Sequence, residues 1–392
     1  SSGNGMPALQ RRLFDASPCR APAAGHTVLE FFAGVGLARL GFERAGWQVV
    51  LANDIDPDKQ RMYEGHFRPT SHYVVEDIHT LAERPQEIPP AMLAHASFPC
   101  TDLSLAGARR GLNAGQSSAF WGFARLLENL GEGRPPLLLI ENVTGLLSSH
   151  GGGDFRSMCL ALNKLGYAVD ALVLDAARFV PQSRPRLFVI GSQLPATDGI
   201  PIDAVEESTL RPKKLVDTIH ANPDIRWACR QWPEPPDLGD ACLKDLLDPP
   251  DDPSQDWWSD ERAEYLLNQM SERHRAIADR MIAGDRWSYG AVFRRVRNGR
   301  SMAELRTDGL AGCLRTPKGG SGRQILFQAG HGQYRVRLLN ADECARLMGA
   351  DGYRVSVSLN KALFGFGDAV CVDAVAWIAE NCLNPLARRV FG

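Results

Sequence analysis

The chain has no Cys-x-x-Cys pair, and its nine cysteines (Cys19, Cys100, Cys159, Cys229, Cys242, Cys313, Cys344, Cys371 and Cys382) are odd in number and widely scattered. That usage argues against a zinc site or a disulfide framework. No apolar run approaches the roughly 18 residues of a membrane-spanning helix, so no membrane partner is expected and the chain reads as cytoplasmic. Internal repeats and long low-complexity segments are lacking too. So is an excess of one charge, since 44 Lys and Arg face 46 Asp and Glu. Hydrophobic residues are 44% and charged residues 23%, an ordinary globular balance that excludes disorder and fibrous architecture. Ser1 to Gly5, ahead of Met6, read as an expression scar rather than a signal segment.

What is present is 392 residues, enough for one large domain and a second, smaller one. An apolar run from Thr27 to Phe32 enters the turn Ala33-Gly34-Val35-Gly36, and Leu37, Leu40, Phe42 and Ala45 follow at helical spacing. Glycines there admit a ligand close to the backbone. A second strand, Gln48 to Ala52, ends in Asn53-Asp54-Ile55-Asp56, with Asp54 about 20 positions past the glycines, a spacing that suits ribose hydroxyls. The G-x-G turn is shorter than the dinucleotide fingerprint, so a nucleoside cofactor without phosphates fits better. A third strand, Ser71 to Val75, ends at Glu76-Asp77-Ile78, where Asp77 is placed to accept from an adenine amino group. Singly, Asp54 and Asp77 read as well as loop or helix-cap residues.

The fourth strand runs through Met92 to Ala94 into Ala96-Ser97-Phe98-Pro99-Cys100-Thr101-Asp102-Leu103-Ser104. Parallel sheets put reactive loops at the carboxyl ends of their strands, so Cys100 is a candidate nucleophile; a packed thiol is the alternative. A Gly-rich basic loop, Ala106 to Gly111 with Arg109 and Arg110, could close over a substrate. The strand Leu137 to Ile140 ends in Glu141-Asn142-Val143, which predicts a partly desolvated carboxyl with a raised pKa at the sheet's rim. Helix Asp154 to Leu165, strand Tyr167 to Leu174 and strand Leu187 to Ile190 follow. Between the last two, Gln182-Ser183-Arg184-Pro185-Arg186 carries two arginines at i, i+2, which on an extended segment point the same way, toward a phosphate, a pyrimidine carbonyl or a salt bridge. This alternation predicts an α/β fold with one doubly wound, mostly parallel sheet over residues 1–194.

From Pro195 that alternation stops. Residues 195–269 hold 17 Asp and Glu against 7 Lys and Arg, whereas 270–337 hold 14 Lys and Arg against 5 Asp and Glu. One amphipathic helix is predicted from Ser259 to Ile282. Around it, basic loops at Arg294, Arg295, Arg297 and Arg300, and at Arg315, Thr316, Lys318, Arg323 and Gln324, are candidate contacts to phosphates and base edges. The expected boundaries are 195–332 for this smaller, irregular domain and 333–392 for a return to the first, opening on a capping box at Asn340 to Glu343.

With Phe32-Ala33-Gly34-x-Gly36, Pro99-Cys100, Glu141-Asn142-Val143, Gln182-x-Arg184-x-Arg186 and Phe366-Gly367-Asp368-Ala369-Val370 in this order, the chain resembles the C5-cytosine DNA methyltransferases, bacterial type, over nearly its whole length. The resemblance implies the S-adenosylmethionine-dependent methyltransferase fold, with Cys100 adding to C6 of a flipped-out cytosine and Glu141 protonating N3. It implies that Arg184 and Arg186 contact the cytosine carbonyl and the active-site loop, and that Asn142 orients the loop carrying Pro99. S-adenosylmethionine would be held by Phe32, Gly34, Gly36, Asp54, Ile55, Asp77, Ile78, Pro99, Gly367 and Asp368. Arg109 and Arg110 would close over the base, and the 195–332 insert would read double-stranded DNA. A cognate restriction endonuclease is a candidate partner, and the chain is expected to act as a monomer. The chain departs from the family pattern at Phe98 and Thr101 beside the nucleophile, at Asp368 in place of the usual Asn, and at Ile55 in place of an aromatic. Two rival readings remain: a tRNA cytosine-5 methyltransferase of the same fold, and a sequence-specific DNA-binding regulator without catalysis. A nicotinamide oxidoreductase is disfavoured by the short glycine pattern.

Overall fold

The computed structural model of the chain describes residues 25–68, 71–99, 118–239, 241–317 and 322–391. They form two compact units, one of residues 25–175, Pro185–Pro236 and 369–391, the other of Ala176–Arg184 and Asp237–Asp368.

In the first unit the predicted strands are all present: β1 Thr27–Phe31, β2 Gln48–Asp54, β3 Tyr73–Val75, β4 Leu93–Ala96, β5 Leu137–Val143, β6 Ala168–Asp175 and β7 Pro185–Ser192. Among the described residues they make one seven-stranded sheet in the order β3-β2-β1-β4-β5-β7-β6. All neighbours are parallel except those of β7, which runs antiparallel to both β5 and β6. The helices α1 Leu37–Arg44, α2 Pro57–Phe67, α3 Ile78–Leu81, α4 Ala119–Leu130, α5 Gly153–Lys164 and α6 Lys213–Ala221 alternate with the strands. Because helices cover both faces, β4 and β5 are buried along their lengths, and for that reason they read in the sequence as unbroken apolar runs. Phe31, Phe120, Phe123, Leu138, Ile140 and Phe155 belong to the core. A side chain at Gly41 of α1 would lie 2.7 Å from the Val372 carbonyl, so the glycine lets the closing helix Val372–Ile378 pack against α1.

The second unit is more regular than expected. Strands β8 Ser288–Arg297, β9 Arg300–Arg306, β10 Ile325–Gly330 and β11 Gln333–Leu338 form an antiparallel sheet in the order β11-β10-β8-β9. The helices α7 Leu243–Leu246, α8 Asp260–Asn268, α9 Glu272–Ala283, α10 Ala341–Leu347 and α11 Leu359–Gly367 complete it. Leu266, Leu267, Val292, Phe327 and Val336 share its core. The single helix expected over 259–282 is two, α8 and α9, because Met270 leaves the helical path to bridge Ala303 and the Ser271 side chain then caps α9 by accepting from His274 N. The capping box at Asn340 and Glu343 is present, and Glu343 also takes both amino groups of Arg337, at 2.5 and 2.8 Å, with both side chains buried.

The units divide at other places than 194/195 and 332/333. Residues 195–236 lie with the large sheet because Asp170, buried in β6, collects Arg211, the Arg230 backbone N–H and the Trp232 indole. Residues 333–368 stay with the smaller sheet because β11 pairs β10 along its whole length. The stretch Leu359–Phe391 has the length and hydropathy of a membrane span, but 78% of its most apolar window is buried within the protein, and residues 368–371 interrupt its helix.

Two ionisable side chains sit side by side in the middle of the large sheet, Glu30 on β1 opposite His95 on β4. Among the described residues Glu30 Oε2 and both His95 ring nitrogens have no hydrogen-bond partner. Burial pushes the Glu30 carboxyl up to about 8, opposed by Arg39 and reinforced by Glu43 and Asp54, and burial pushes His95 down to about 3. The folded chain therefore keeps the Glu30 proton up to about pH 8, while the unfolded chain releases it near 4.5. The folded state binds more protons across that window, so stability falls as pH rises through it. Between pH 6.5 and 8 the His95 contribution is common to both proteins, and the wild type should lose roughly 1.5 kcal/mol more unfolding free energy than Glu30→Gln. Equal pH profiles in chemical denaturation would refute a neutral buried Glu30.

Candidate active site at the carboxyl edge of the large sheet

The chain leaves β1 through Phe32, whose φ of 56° is rare for a residue with a side chain. Gly34 and Gly36 follow, at φ 56° and 87°. Gly34 N–H donates to Asp54 Oδ2 at 2.9 Å, and the Gly34 carbonyl accepts from the Tyr73 hydroxyl at 2.8 Å. A Cβ at Gly36 would lie 2.4 Å from the Phe67 ring, so α2 closes up behind the turn only because that residue is glycine. Asp54, the last residue of β2, also accepts from Asp56 N–H. Ile55 beside it is 65% exposed. Asn53 donates to the Val74 and Glu76 carbonyls, tying the end of β2 to the end of β3. Asp77 caps α3 by accepting from His79 N–H, and Ile78 is buried in the core.

The rim built by β4 and β5 lies in the same unit. Ala96 pairs Ile140 as the last rung of that parallel ladder. Two residues beyond on each strand, Asn142 Nδ2 donates to the Phe98 carbonyl at 3.4 Å, and Asn142 Oδ1 accepts from Val143 N–H. The Asn142 side chain thus spans the gap just before the exposed Pro99. Ser97 Oγ donates to the Phe32 carbonyl at 3.5 Å, and the Phe98 ring meets the edge of Phe32, so this loop and the glycine turn touch. Glu141 is buried at the end of β5. Arg186 on β7 pairs with Val143, which puts it diagonally across from Glu141 on the same face. Its Nε lies 3.3 Å from Glu141 Oε1. A carboxylate and a guanidinium held together at the mouth of a buried strand can donate to and accept from one flat, polar ring. Cys100, Arg109, Arg110 and Lys318 lie outside the described residues.

Arg184 and Arg186 fall in different units. Arg184 is buried in the second unit, donating to the Leu314 carbonyl at 2.8 Å, the Gly367 carbonyl at 3.0 Å and Gln182 Oε1. β7 starts at Pro185, and just before it the chain bridges residue 311, with Ser183 N–H bonded to the Ala311 carbonyl. Gly367 packs so closely on residues 315–316 that a Cβ would lie 2.5 Å from Thr316 N. Asp368 ends α11 as its C-terminal cap.

The basic stretch at 294–300 is a hairpin, not a loop. Arg297 faces Arg300 across a two-residue Asn298-Gly299 turn with both φ positive, the turn that matches strand twist. Residues 295–300 are exposed; Arg297 and Arg295 lie 3.0 and 3.8 Å from Glu304, while Arg294 donates to Gln269. Thr316 is partly exposed and Arg323 donates to Asn360. Gln324 is buried, with Oε1 accepting from Gly312 N–H, so its side chain supports the fold. Sequence reasoning missed Tyr73 and Asn53 as supports of the glycine turn. The one available signal was their place at strand ends beside Asp54 and Asp77. Among the described residues no group of three His, Cys, Asp or Glu is placed to hold a metal.

A family model described as C-5 cytosine-specific DNA methylase matches residues 26–384. The type II methyltransferase M.HhaI of Haemophilus parahaemolyticus is 28% identical, covering 91% of this chain and 94% of its own. A DNA-cytosine methyltransferase of Escherichia coli K12 is 26% identical, covering 96% and 81%. In fold the chain is similar to the Dnmt2 methyltransferase of S. pombe, with a TM-score of 0.57 at 19% identity over 92% of this chain and 98% of that one. The methyltransferase EhMeth of Entamoeba histolytica aligns equally well, at 0.57 and 13% identity over 93% and 98%. With an antiparallel β7 inserted between β5 and β6, a glycine turn beside an acidic strand end, and a family match across both units, this chain belongs to the C-5 cytosine-specific DNA methylase family and is a methyltransferase.

Proposed function

We propose that the chain transfers a methyl group from S-adenosylmethionine to C5 of a cytosine flipped out of a specific double-stranded DNA sequence, through a covalent bond between Cys100 and C6. The observation that carries this reading is the rim where Glu141, Arg186 and Asn142 meet the chain entering Pro99 and Cys100. Cytosine C5 is a weak nucleophile until a group adds at C6. The Cys100 thiolate forms that bond, the C5=C6 electron pair moves into the ring toward N3, and Glu141 delivers a proton to N3. Arg186 offsets the charge left on Glu141 and offers donors to the base's carbonyl. After methylation a base removes the C5 proton, the C5=C6 bond re-forms, Cys100 leaves as thiolate and Glu141 recovers its proton. A stacked base is out of reach of this rim, so it must be flipped out.

The glycine turn suits S-adenosylmethionine. Among the described residues a Cβ at Gly34 would meet nothing nearer than Lys59 Cδ at 4.0 Å, so the backbone there is open to close approach. Asp54 would accept from the ribose, with Ile55, Asp77, Ile78 and Phe32 around the adenine, and the polar groups present call for no phosphate. Pro99, Gly36, Gly367 and Asp368 complete the assigned set. When bound, the cofactor supplies an electrophilic sulfonium methyl. Arg184, bonded to the Leu314 and Gly367 carbonyls, holds backbone within its own unit, and we keep it beside Arg186 in the assigned set.

Target reading we assign to the part of the 195–332 region that folds in the second unit, where Arg295, Arg297 and Arg300 stand on an exposed two-stranded ribbon of a kind that fits a major groove. The protein would act as a monomer in the cytoplasm, on the nucleoid. The type II names of its relatives favour a restriction-modification role with a cognate endonuclease.

Purified protein given tritiated S-adenosylmethionine with genomic DNA or total tRNA should label DNA, and bisulfite sequencing should find 5-methylcytosine in one sequence context. Label in tRNA with none in DNA would sink this reading. Glu141→Gln should lower kcat by about 10²-fold or more, the range of general acid catalysis, with cofactor affinity within about twofold of wild type. An unchanged kcat would remove Glu141 from the chemistry.

A further inference from the structure

Among the described residues Gly34 has nothing steric to hold it. It lies at φ 56°, and a Cβ there would meet no described atom closer than 4.0 Å. Glycine in open space is the most permissive element a chain can have. Beside the turn bond from Gly36 N–H to the Ala33 carbonyl, two side chains from the neighbouring strands hold Gly34, Asp54 on its N–H at 2.9 Å and Tyr73 on its carbonyl at 2.8 Å. The two grips are unequal in the work left to them. Asp54 also accepts from Asp56 N–H and, in the assignment made above, from the cofactor's ribose. Tyr73 is buried in β3, its ring 4.7 Å from Tyr63, and burial raises its hydroxyl pKa, so it stays a hydrogen-bond donor.

We infer that Tyr73 is a positioning residue for the methyl donor: by fixing the Gly34 carbonyl it holds Gly34 N–H on Asp54 and keeps that carboxylate aimed at the ribose before the cofactor arrives. This rests on the cofactor reading above. Without the hydroxyl, the peptide that follows Gly34 loses its anchor, the glycine dihedrals loosen, its N–H leaves Asp54 part of the time, and the cofactor must order the turn as it binds. That cost falls on affinity. Once the cofactor is in place the turn is ordered in both proteins, so the chemical step is little affected.

Tyr73→Phe keeps the ring and removes only the donor. A matched control exists at the other end of the sheet, where the buried Tyr167 hydroxyl donates to the Pro135 carbonyl at 2.7 Å, the same kind of bond far from the Gly34 turn. Calorimetric titration with S-adenosylhomocysteine should show Kd raised about fivefold to tenfold in Tyr73→Phe, the loss expected for one hydrogen bond, and within about twofold of wild type in Tyr167→Phe. KM for S-adenosylmethionine should rise by the same factor, with kcat within about twofold. Comparable drops in Tm for the two variants would show that stability alone does not account for the difference. An unchanged Kd in Tyr73→Phe, or an equal rise in Tyr167→Phe, overturns the inference while leaving the cofactor reading intact. A wild-type protein that binds no S-adenosylhomocysteine overturns both.

Discussion

The parallel hydrogen bonding of β4 to β5 decides where the reactive groups of this enzyme stand. Both strands are buried along their length, and a one-residue slip would turn every side chain to the other face. The ladder therefore has one register, Leu93 on Leu137 through Ala96 on Ile140. At its end the strands part, and the Asn142 side chain takes over by bonding the Phe98 carbonyl. Glu141 is delivered by β5 and Arg186 by the antiparallel β7, whose pairing with β5 makes the two diagonal neighbours. Glu141, the proposed proton donor, and the Arg186 charge beside it are thus set by backbone pairing, with little left to side-chain flexibility.

The cofactor side of the edge follows a different rule. There the backbone turns through glycines, and side chains from β2 and β3 restrain it: Asp54 and Tyr73 on Gly34, Asn53 on the end of β3. The fold accepts a cost beneath this turn, since Glu30 and His95 are buried side by side as neutral groups with ring nitrogens and a carboxyl oxygen unpartnered among the described residues. A methyl donor of the S-adenosylmethionine type is what the family and fold call for, and the turn offers it backbone and carboxylate contacts without a phosphate cradle.

Much of this was legible in the residues. Strands buried on both faces read as apolar runs, so β1, β2, β4 and β5 were found with their ends near the right places, and with them Glu141, Asn142 and Asp54. The capping box at Asn340 and Glu343 was legible because capping is a local geometry. What was not legible depends on distant partners. Arg184 donates to the Leu314 and Gly367 carbonyls, partners more than a hundred residues on that no local pattern reveals. The helix break at Ser271 depends on a bridge to Ala303, and residues 195–236 join the large sheet through Asp170. Gln324 looked like a base-reading side chain but is buried on Gly312. Tyr73 read as one more apolar strand residue, because nothing local shows that its hydroxyl reaches a glycine 39 positions earlier.

The covalent role of Cys100 is the claim on which the whole account turns, and intact-mass measurement of a trapped complex tests it most directly. DNA that the enzyme methylates is rebuilt with 5-fluorocytosine at the target, where fluorine at C5 blocks the final proton removal. With S-adenosylmethionine present, the wild-type protein should gain the mass of the modified strand plus one methyl group, with the bond mapped to Cys100, and Cys100→Ser should gain nothing. A complex that persists in Cys100→Ser, or none from wild type on a sequence it methylates, would contradict the account.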